Sequence, residues 1–160
     1  MKKIASFTVN HLVLEPGVYV SRRDVTPKGD TLTTYDVRMT APNREPALSG
    51  PVLHTIEHLA ATWLRNNPVW ADKVVYWGPM GCCTGSYLIL QGDHEPREVA
   101  ALMLELFTWM ATYEGEIPGA TPRDCGNWSF TDLDGARRFA RHFADDVLTG
   151  IDDAHLVYQP

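Results

Sequence analysis

The hydrophobic pattern of the chain changes period along its length. Apolar and polar residues alternate over residues 7–14, 18–22 and 31–39, and turn-forming residues separate these stretches at 15–17 and 27–30. Alternation with a period of two is typical of strands that are buried on one face. The first 40 residues therefore predict three short strands joined by tight turns.

Later segments show apolar residues at intervals of three and four, which predicts helices. The first predicted helix covers residues 51–65, where Ser49 can cap the amino end and Pro51 suits the first turn. Asn66-Asn67-Pro68 ends it. The remaining predicted elements are strands at 73–77 and 86–91 and helices at 95–109 and 133–148.

This order of elements predicts one α+β domain over residues 1–160. Neighbouring strands joined by short turns favour an antiparallel β-sheet, and the long helices are expected to pack mainly on one face of that sheet. A chain of 160 residues is long enough for a single hydrophobic core.

Composition excludes some functions. A formal net charge of −6 and the lack of a basic stripe argue against binding nucleic acid. Lys2 and Lys3 open the chain, but polar residues then interrupt any apolar run, so we expect neither a signal peptide nor a membrane span. Three cysteines, an odd number, without an export signal fit the reducing cytoplasm.

The segment His54-Thr55-Ile56-Glu57-His58 carries the strongest chemical signal. On a helix, His54 and His58 lie one turn apart on the same face and can bind one divalent metal ion, and Glu57 can move a proton beside it. The order H-x-x-E-H is the inverse of a known zinc-peptidase motif. The alternative is that two histidines share a helix face by chance.

Cys125 is the candidate third ligand, within Asp124-Cys125-Gly126-Asn127. A His-His-Cys set leaves the fourth coordination position open, as catalytic metal sites do. The alternative is an ordinary buried cysteine, because free cysteines often pack as small hydrophobes.

A second candidate thiol, Cys82, lies in the glycine-rich stretch 78–87. This composition predicts a tight loop followed by a strand, so the thiol is expected at a loop-to-strand junction. Cys83 follows directly, and a disulfide between adjacent residues is strained. We interpret one cysteine of the pair as chemically active and the other as packing.

Together these motifs resemble the S-ribosylhomocysteine lyase family, the LuxS type that makes the autoinducer-2 precursor. The resemblance runs over nearly the whole chain. The matching positions are Ser6-Phe7, Asn10-His11, Arg38, Ala41-Pro42-Asn43, His54-Thr55-Ile56-Glu57-His58-Leu59, Pro79-Met80-Gly81-Cys82, Thr84-Gly85, Tyr87 and Cys125-Gly126-Asn127.

The resemblance implies a LuxS/metallopeptidase-like fold and a metal site formed by His54, His58 and Cys125. The metal would be Fe²⁺, for which Zn²⁺ or Co²⁺ can substitute. Glu57 and Cys82 would transfer protons. It further implies a homodimer whose active sites lie at the interface, with Ser6, His11 and Arg38 lining the substrate pocket.

The implied reaction cleaves the thioether of S-ribosyl-L-homocysteine to homocysteine and 4,5-dihydroxy-2,3-pentanedione. Two carbonyl shifts along the ribose precede β-elimination of the sulfur, and a metal Lewis acid acidifies the carbon-bound protons. Two proton-transfer groups flanking the sugar are needed, which is the role implied for Cys82 and Glu57.

Two positions depart from the family pattern. Cys83 stands where a basic or amide residue is usual, and Ser86 stands where an aromatic residue is common. Loss of a nearby cation would remove one influence that lowers the pKa of the Cys82 thiol. Two alternatives therefore stay open, an H-x-x-E-H metallopeptidase-like hydrolase and a metal-binding relative without catalytic activity.

Overall fold

A computed structural model describes Met1 and residues 4–160; Lys2 and Lys3, used above in the signal-peptide argument, lie outside the described residues. The strands are β1 Gly17–Val25, β2 Thr31–Arg38, β3 Val74–Pro79 and β4 Gly85–Gln91. The longer helices are α1 Gly50–Asn66, α2 Pro96–Ala111 and α3 Leu133–His142. Shorter helical turns cover Ala5–Phe7, Ala71–Lys73, Phe143–Leu148 and Asp153–His155.

The four strands form one sheet in the order β1-β2-β4-β3, and every neighbouring pair is antiparallel. Alternate residues of β2 point to opposite faces. Tyr35 and Val37 are fully buried in the hydrophobic core that also holds the apolar sides of the helices. Asp36 and Arg38 belong to the other face. The predicted α+β fold is therefore confirmed, and polar residues line β2 opposite the core.

Helix α1 forms as its sequence predicts. The Ser49 side chain accepts a hydrogen bond from the Val52 amide, and Pro51 lies in the first turn. Ile56 and Leu59 are fully buried at helical spacing. His54, Glu57 and His58 therefore fall on the side of the helix that faces away from the core.

The strand predicted at residues 7–14 is wrong. A short 3₁₀ turn and irregular backbone replace it, and Asn10 accepts a hydrogen bond from the Leu12 amide through its side chain. Leu12 is 72% exposed and only Leu14 is buried, at 3%. The segment alternates in sequence but buries almost no apolar surface, and a local Asn turn satisfies its backbone instead.

The helix predicted at residues 133–148 consists of two parts, the α-helix α3 and a π-helical turn that follows it. Asp132 caps α3 by accepting from the Gly135 amide at 2.8 Å, and α3 ends at His142. A π-helical turn, Phe143–Leu148, continues the chain with Phe143 and Leu148 buried. Within the described part of the chain, no helix is both long and apolar enough to cross a bilayer.

Gly17 allows the segment 152–158 to lie directly against the start of β1. A side-chain carbon at Gly17 would overlap the backbone carbonyl oxygen of His155. We expect Gly17→Ala to lower the free energy of unfolding by about 1–3 kcal/mol, as overpacking against rigid backbone does. Thermal denaturation measures this. Gly81→Ala is the matched control, because no described residue comes within 4 Å of its added carbon, and equal melting temperatures for the two variants would contradict the explanation.

Candidate active site

His54, His58 and Cys125 come together as the sequence motif predicted. Their candidate ligand atoms all lie within 4.8 Å of one another. The Nε2 atoms of the two histidines are 3.1 Å apart, and the Cys125 sulfur is 3.4 Å from His54 Nε2. Two imidazole nitrogens and one thiolate that converge on a single point suit a tetrahedral divalent metal ion with its fourth position open.

Backbone carbonyls set the tautomer of both histidines. His54 Nδ1 lies 2.7 Å from the Phe130 carbonyl oxygen, and His58 Nδ1 lies 2.7 Å from the Pro118 carbonyl oxygen. A carbonyl can only accept, so each Nδ1 carries the proton and each Nε2 lone pair is free to bind a metal. The donor set and its tautomers therefore fit a metal ion.

Glu57 opens onto a cavity of about 240 Å³ beside the candidate metal centre. His54 and Phe130 line the same cavity, as does Pro79, which ends β3 just before the loop that carries Cys82. A carboxylate in this position can exchange a proton with a molecule held beside His54. The position agrees with the proton-transfer role predicted for Glu57.

Cys82 lies in the turn between β3 and β4, as predicted. Cys83, next to it, adopts a left-handed backbone conformation with φ of 60° and packs partly against the core. The side chain of Cys82 is exposed, and all three cysteines are free thiols.

Although the Cys82 side chain is exposed, its sulfur is partly shielded from water, and this desolvation opposes ionisation. Hydrogen bonds from Thr84 and the charge of Arg38 outweigh the desolvation, so the pKa of the thiol is lowered. Arg38 Nη1 lies 4.0 Å from the sulfur. The expected loss of a stabilising cation at Cys83 is thus offset by a cation on the neighbouring strand β2. A thiol whose pKa is lowered ionises more readily, which suits Cys82 to accept and return protons.

Thr84 matches the family pattern, but the sequence analysis assigns it no role; the structure places it between Arg38 and Cys82. Arg38 Nη1 donates to Thr84 Oγ1 at 2.6 Å, and Thr84 Oγ1 is 3.1 Å from the Cys82 sulfur. Because Arg38 can only donate, the Thr84 oxygen accepts and its own hydrogen is free to point at the sulfur. Two signals in the sequence point to Thr84, the match of Thr84-Gly85 to the family pattern and its place two residues after Cys82.

We expect Thr84→Val to raise the pKa of Cys82 by roughly one unit, because a hydrogen bond to a charged group contributes about 1.5–3 kcal/mol. The ultraviolet absorbance of the thiolate as a function of pH measures the shift. Thr84→Ser keeps the hydroxyl and serves as the control. A Val profile that matches the Ser profile would show that the hydroxyl does not stabilise the thiolate.

The predicted pocket residues lie at separate places in one chain. Arg38 is 3% exposed and is held by Asp36, Thr84 and Cys82. His11 Nδ1 contacts the Val9 carbonyl at 2.9 Å. Ser6 lines a cavity of about 210 Å³ on the face of the sheet opposite the core, and Tyr76 of β3 lines the same cavity.

Comparison with known proteins gives a consistent result. Residues 4–154 match the S-ribosylhomocysteinase (LuxS) family. S-ribosylhomocysteine lyase of Clostridium beijerinckii is 54% identical over 159 residues, which cover 99% of each chain. S-ribosylhomocysteine lyase of Phocaeicola vulgatus is 52% identical over 158 residues, covering 99% of this chain and 98% of the relative. The similarity therefore spans both the metal centre and the Cys82 turn.

Proposed function

This chain belongs to the S-ribosylhomocysteine lyase family, and we propose how its residues carry out that reaction. The enzyme is a carbon–sulfur lyase that converts S-ribosyl-L-homocysteine to homocysteine and 4,5-dihydroxy-2,3-pentanedione. The observation that carries the residue-level proposal is the pairing of an open His-His-Cys centre with a thiol of lowered pKa.

His54, His58 and Cys125 are proposed to hold the metal, and Fe²⁺ is the proposed native ion, with Zn²⁺ or Co²⁺ as substitutes. Imidazole and thiolate ligands bind all three ions. When bound, the metal supplies Lewis acidity that makes the protons on the sugar carbons easier to remove. Metal analysis of protein purified without oxygen tests the assignment to iron.

Cys82 and Glu57 are proposed to divide the proton transfers. In the early steps the Cys82 thiolate takes the proton from C2 and the resulting thiol returns one to C1, which moves the carbonyl from C1 to C2. Glu57 serves the second shift, in which it takes the proton from C3 and returns one to C2, so that the carbonyl moves to C3. Glu57 then removes the proton from C4, the C5–sulfur bond breaks as the C4–C5 double bond forms, and the proton passes to the leaving sulfur. The lowered pKa of Cys82 supports the first assignment, and the place of Glu57 beside His54 supports the second.

The test is release of free thiol from S-ribosyl-L-homocysteine by protein purified anaerobically with Fe²⁺. We expect one homocysteine per substrate consumed. Bound metal without thiol release would favour the non-catalytic alternative. A metallopeptidase-like hydrolase is less well supported, because nothing in a peptidase mechanism requires the Cys82–Thr84–Arg38 contacts.

We propose that the active form is a homodimer with sites at the interface. Ile4, which is 58% exposed, and Tyr76, which is 50% exposed, line the cavity at the sheet face opposite the core, and Phe7, 70% exposed, lies in the adjoining 3₁₀ turn. A second copy packed on this face would bury them. Ser6 lines the cavity at that face, whereas Glu57 lines the cavity at the metal centre.

Co-expression of two inactive variants tests the shared site. If His11 and Glu57 of one site come from different chains, His11→Ala mixed with Glu57→Gln restores about a quarter of wild-type activity, because half of the dimers contain one intact site of two. The control pair is His54→Ala with Glu57→Gln, which share one chain's metal centre and should restore none. Equal results for the two pairs would count against shared sites.

We further propose a cytoplasmic enzyme whose products feed autoinducer-2 synthesis, as in quorum sensing, and the recycling of homocysteine in the methyl cycle. The free thiols of Cys82, Cys83 and Cys125 support a reducing compartment. Cell fractionation tests the location. Loss of autoinducer-2 activity from the medium of a deletion strain tests the signalling role.

A further inference from the structure

The Cys82 thiol lies at one end of a chain of polar contacts. This chain connects the β3–β4 turn, strand β2 and the segment 152–158. Arg38 donates to both carboxylate oxygens of Asp36, at 3.1 and 2.6 Å, and to Thr84 beside Cys82. Asp36 and Arg38 are 2% and 3% exposed. The hydroxyl of Tyr158 also donates a hydrogen bond to Asp36, to Oδ2 at 2.9 Å. Asp36 Oδ2 is thus shared by a cation and a phenol.

Tyr158 is held in place by the segment that precedes it. Its ring stacks on Tyr19 with centroids 4.8 Å apart and planes inclined by 6°. His155 is half-buried, and its Nδ1 contacts the Pro16 carbonyl at 2.6 Å. Gly17 lets this segment lie on β1. The position of the phenol is therefore fixed from several sides.

We propose that Tyr158 is a positioning residue for the reactive thiol: by sharing Asp36 Oδ2 with Arg38, it leaves part of the Arg38 charge available to Thr84 and Cys82. A carboxylate that accepts a second hydrogen bond has less negative charge to offer the guanidinium. Without the phenol, Asp36 would neutralise Arg38 more completely. The inference rests on the proposed proton-transfer role of Cys82.

The charged and titratable groups around the Cys82 thiol are consistent with an effect of Tyr158 that acts through Asp36 and Arg38. Arg38, on β2, is the cation that acts on Cys82. Burial is the main cause that raises the pKa of Tyr87, on β4. Asp36 raises it further, and Cys82 does so to a smaller extent, whereas Arg38 lowers it. Burial and the neighbouring Asp36 raise the pKa of Tyr158 far above its usual value, so the phenol stays protonated and remains a donor.

The test is the pH dependence of alkylation of Cys82 by iodoacetamide in the metal-loaded enzyme. A Cys83→Ser background leaves one thiol on the alkylated peptide, which mass spectrometry quantifies. We expect Tyr158→Phe to raise the pKa of Cys82, so that the alkylation rate at about pH 6 falls about threefold. The Phe ring keeps the stack on Tyr19.

Tyr19→Phe is the matched control, because it removes a hydroxyl from the other ring of the same stack. That hydroxyl donates to the Glu15 carbonyl and makes no hydrogen bond to Asp36. The control should reproduce the wild-type profile. The proposal is overturned if Tyr158→Phe also reproduces it, or if both variants shift equally, since the stack rather than the phenol would then be responsible.

A second variant keeps the proposal testable if Tyr158→Phe folds poorly. Incorporation of 3-fluorotyrosine at position 158 makes the phenol a stronger donor at nearly unchanged size, so the pKa of Cys82 should fall. An unchanged profile would refute the proposal. Alkylation does not depend on turnover, so absence of thiol release by the wild-type enzyme would count against the lyase function alone.

Discussion

Replacing Cys82 with alanine is expected to abolish turnover while leaving the metal bound. The side chain lies on the β3–β4 turn and makes its polar contacts with Thr84 and Arg38, whereas the candidate ligand cluster consists of His54, His58 and Cys125. General acid–base groups contribute about 10²–10⁴-fold each. Because Cys82 is assigned more than one transfer, we expect a loss of at least about 10³-fold.

Parallel assays of thiol release and metal content measure this result. Cys83→Ala is the matched control, because it removes the adjacent thiol, whose hydrogen bond goes to the Gly81 carbonyl at 3.8 Å rather than to Arg38 or Thr84. It should keep most of the activity. Loss of metal together with activity in Cys82→Ala would refute the division between a metal-binding set and a proton-transfer thiol.

The elements predicted correctly are those whose burial has a clear period. Helix α1 and strand β4 bury apolar residues at helical and strand spacing, and both were located to within one residue at each end. The stretch at 7–14 has the same alternation but no partner strand, so Phe7, Leu12 and Val13 stay exposed. Periodicity reports which residues could share a face; it does not report whether another element covers that face.

The candidate site shows a similar limit. His54 and His58 could be paired from sequence because their spacing is local. The carbonyls of Phe130 and Pro118 that set their tautomers are backbone atoms of distant loops. No residue type in the sequence predicts such backbone contacts. The resemblance implies that Arg38 lines the substrate pocket. Its ion pair with Asp36 lies within β2, whereas its contact with Thr84 depends on the register that pairs Arg38 with Gly85 of β4.

Replacing Cys125 with alanine is expected to remove the metal and, with it, turnover. The Cys125 thiolate is the third of the three proposed protein donors, and the two histidines alone would leave two coordination positions to solvent. Loss of outer contacts to metal ligands already costs about 10–100-fold in affinity, so loss of the ligand itself should cost at least about 100-fold. Titration of the apoprotein with Co²⁺, followed by its visible absorption, measures the affinity.

Asp124→Ala separates loss of the ligand from damage to the loop. The Asp124 carboxylate accepts from Thr121 Oγ1 at 2.8 Å and so helps to form the turn that presents Cys125, but Asp124 is not part of the ligand cluster. This variant should bind Co²⁺ nearly as well as the wild type and keep the thiolate-to-metal absorption. If Cys125→Ala retains that absorption, the thiol is not a ligand. If both variants lose metal equally, the turn rather than the sulfur determines binding.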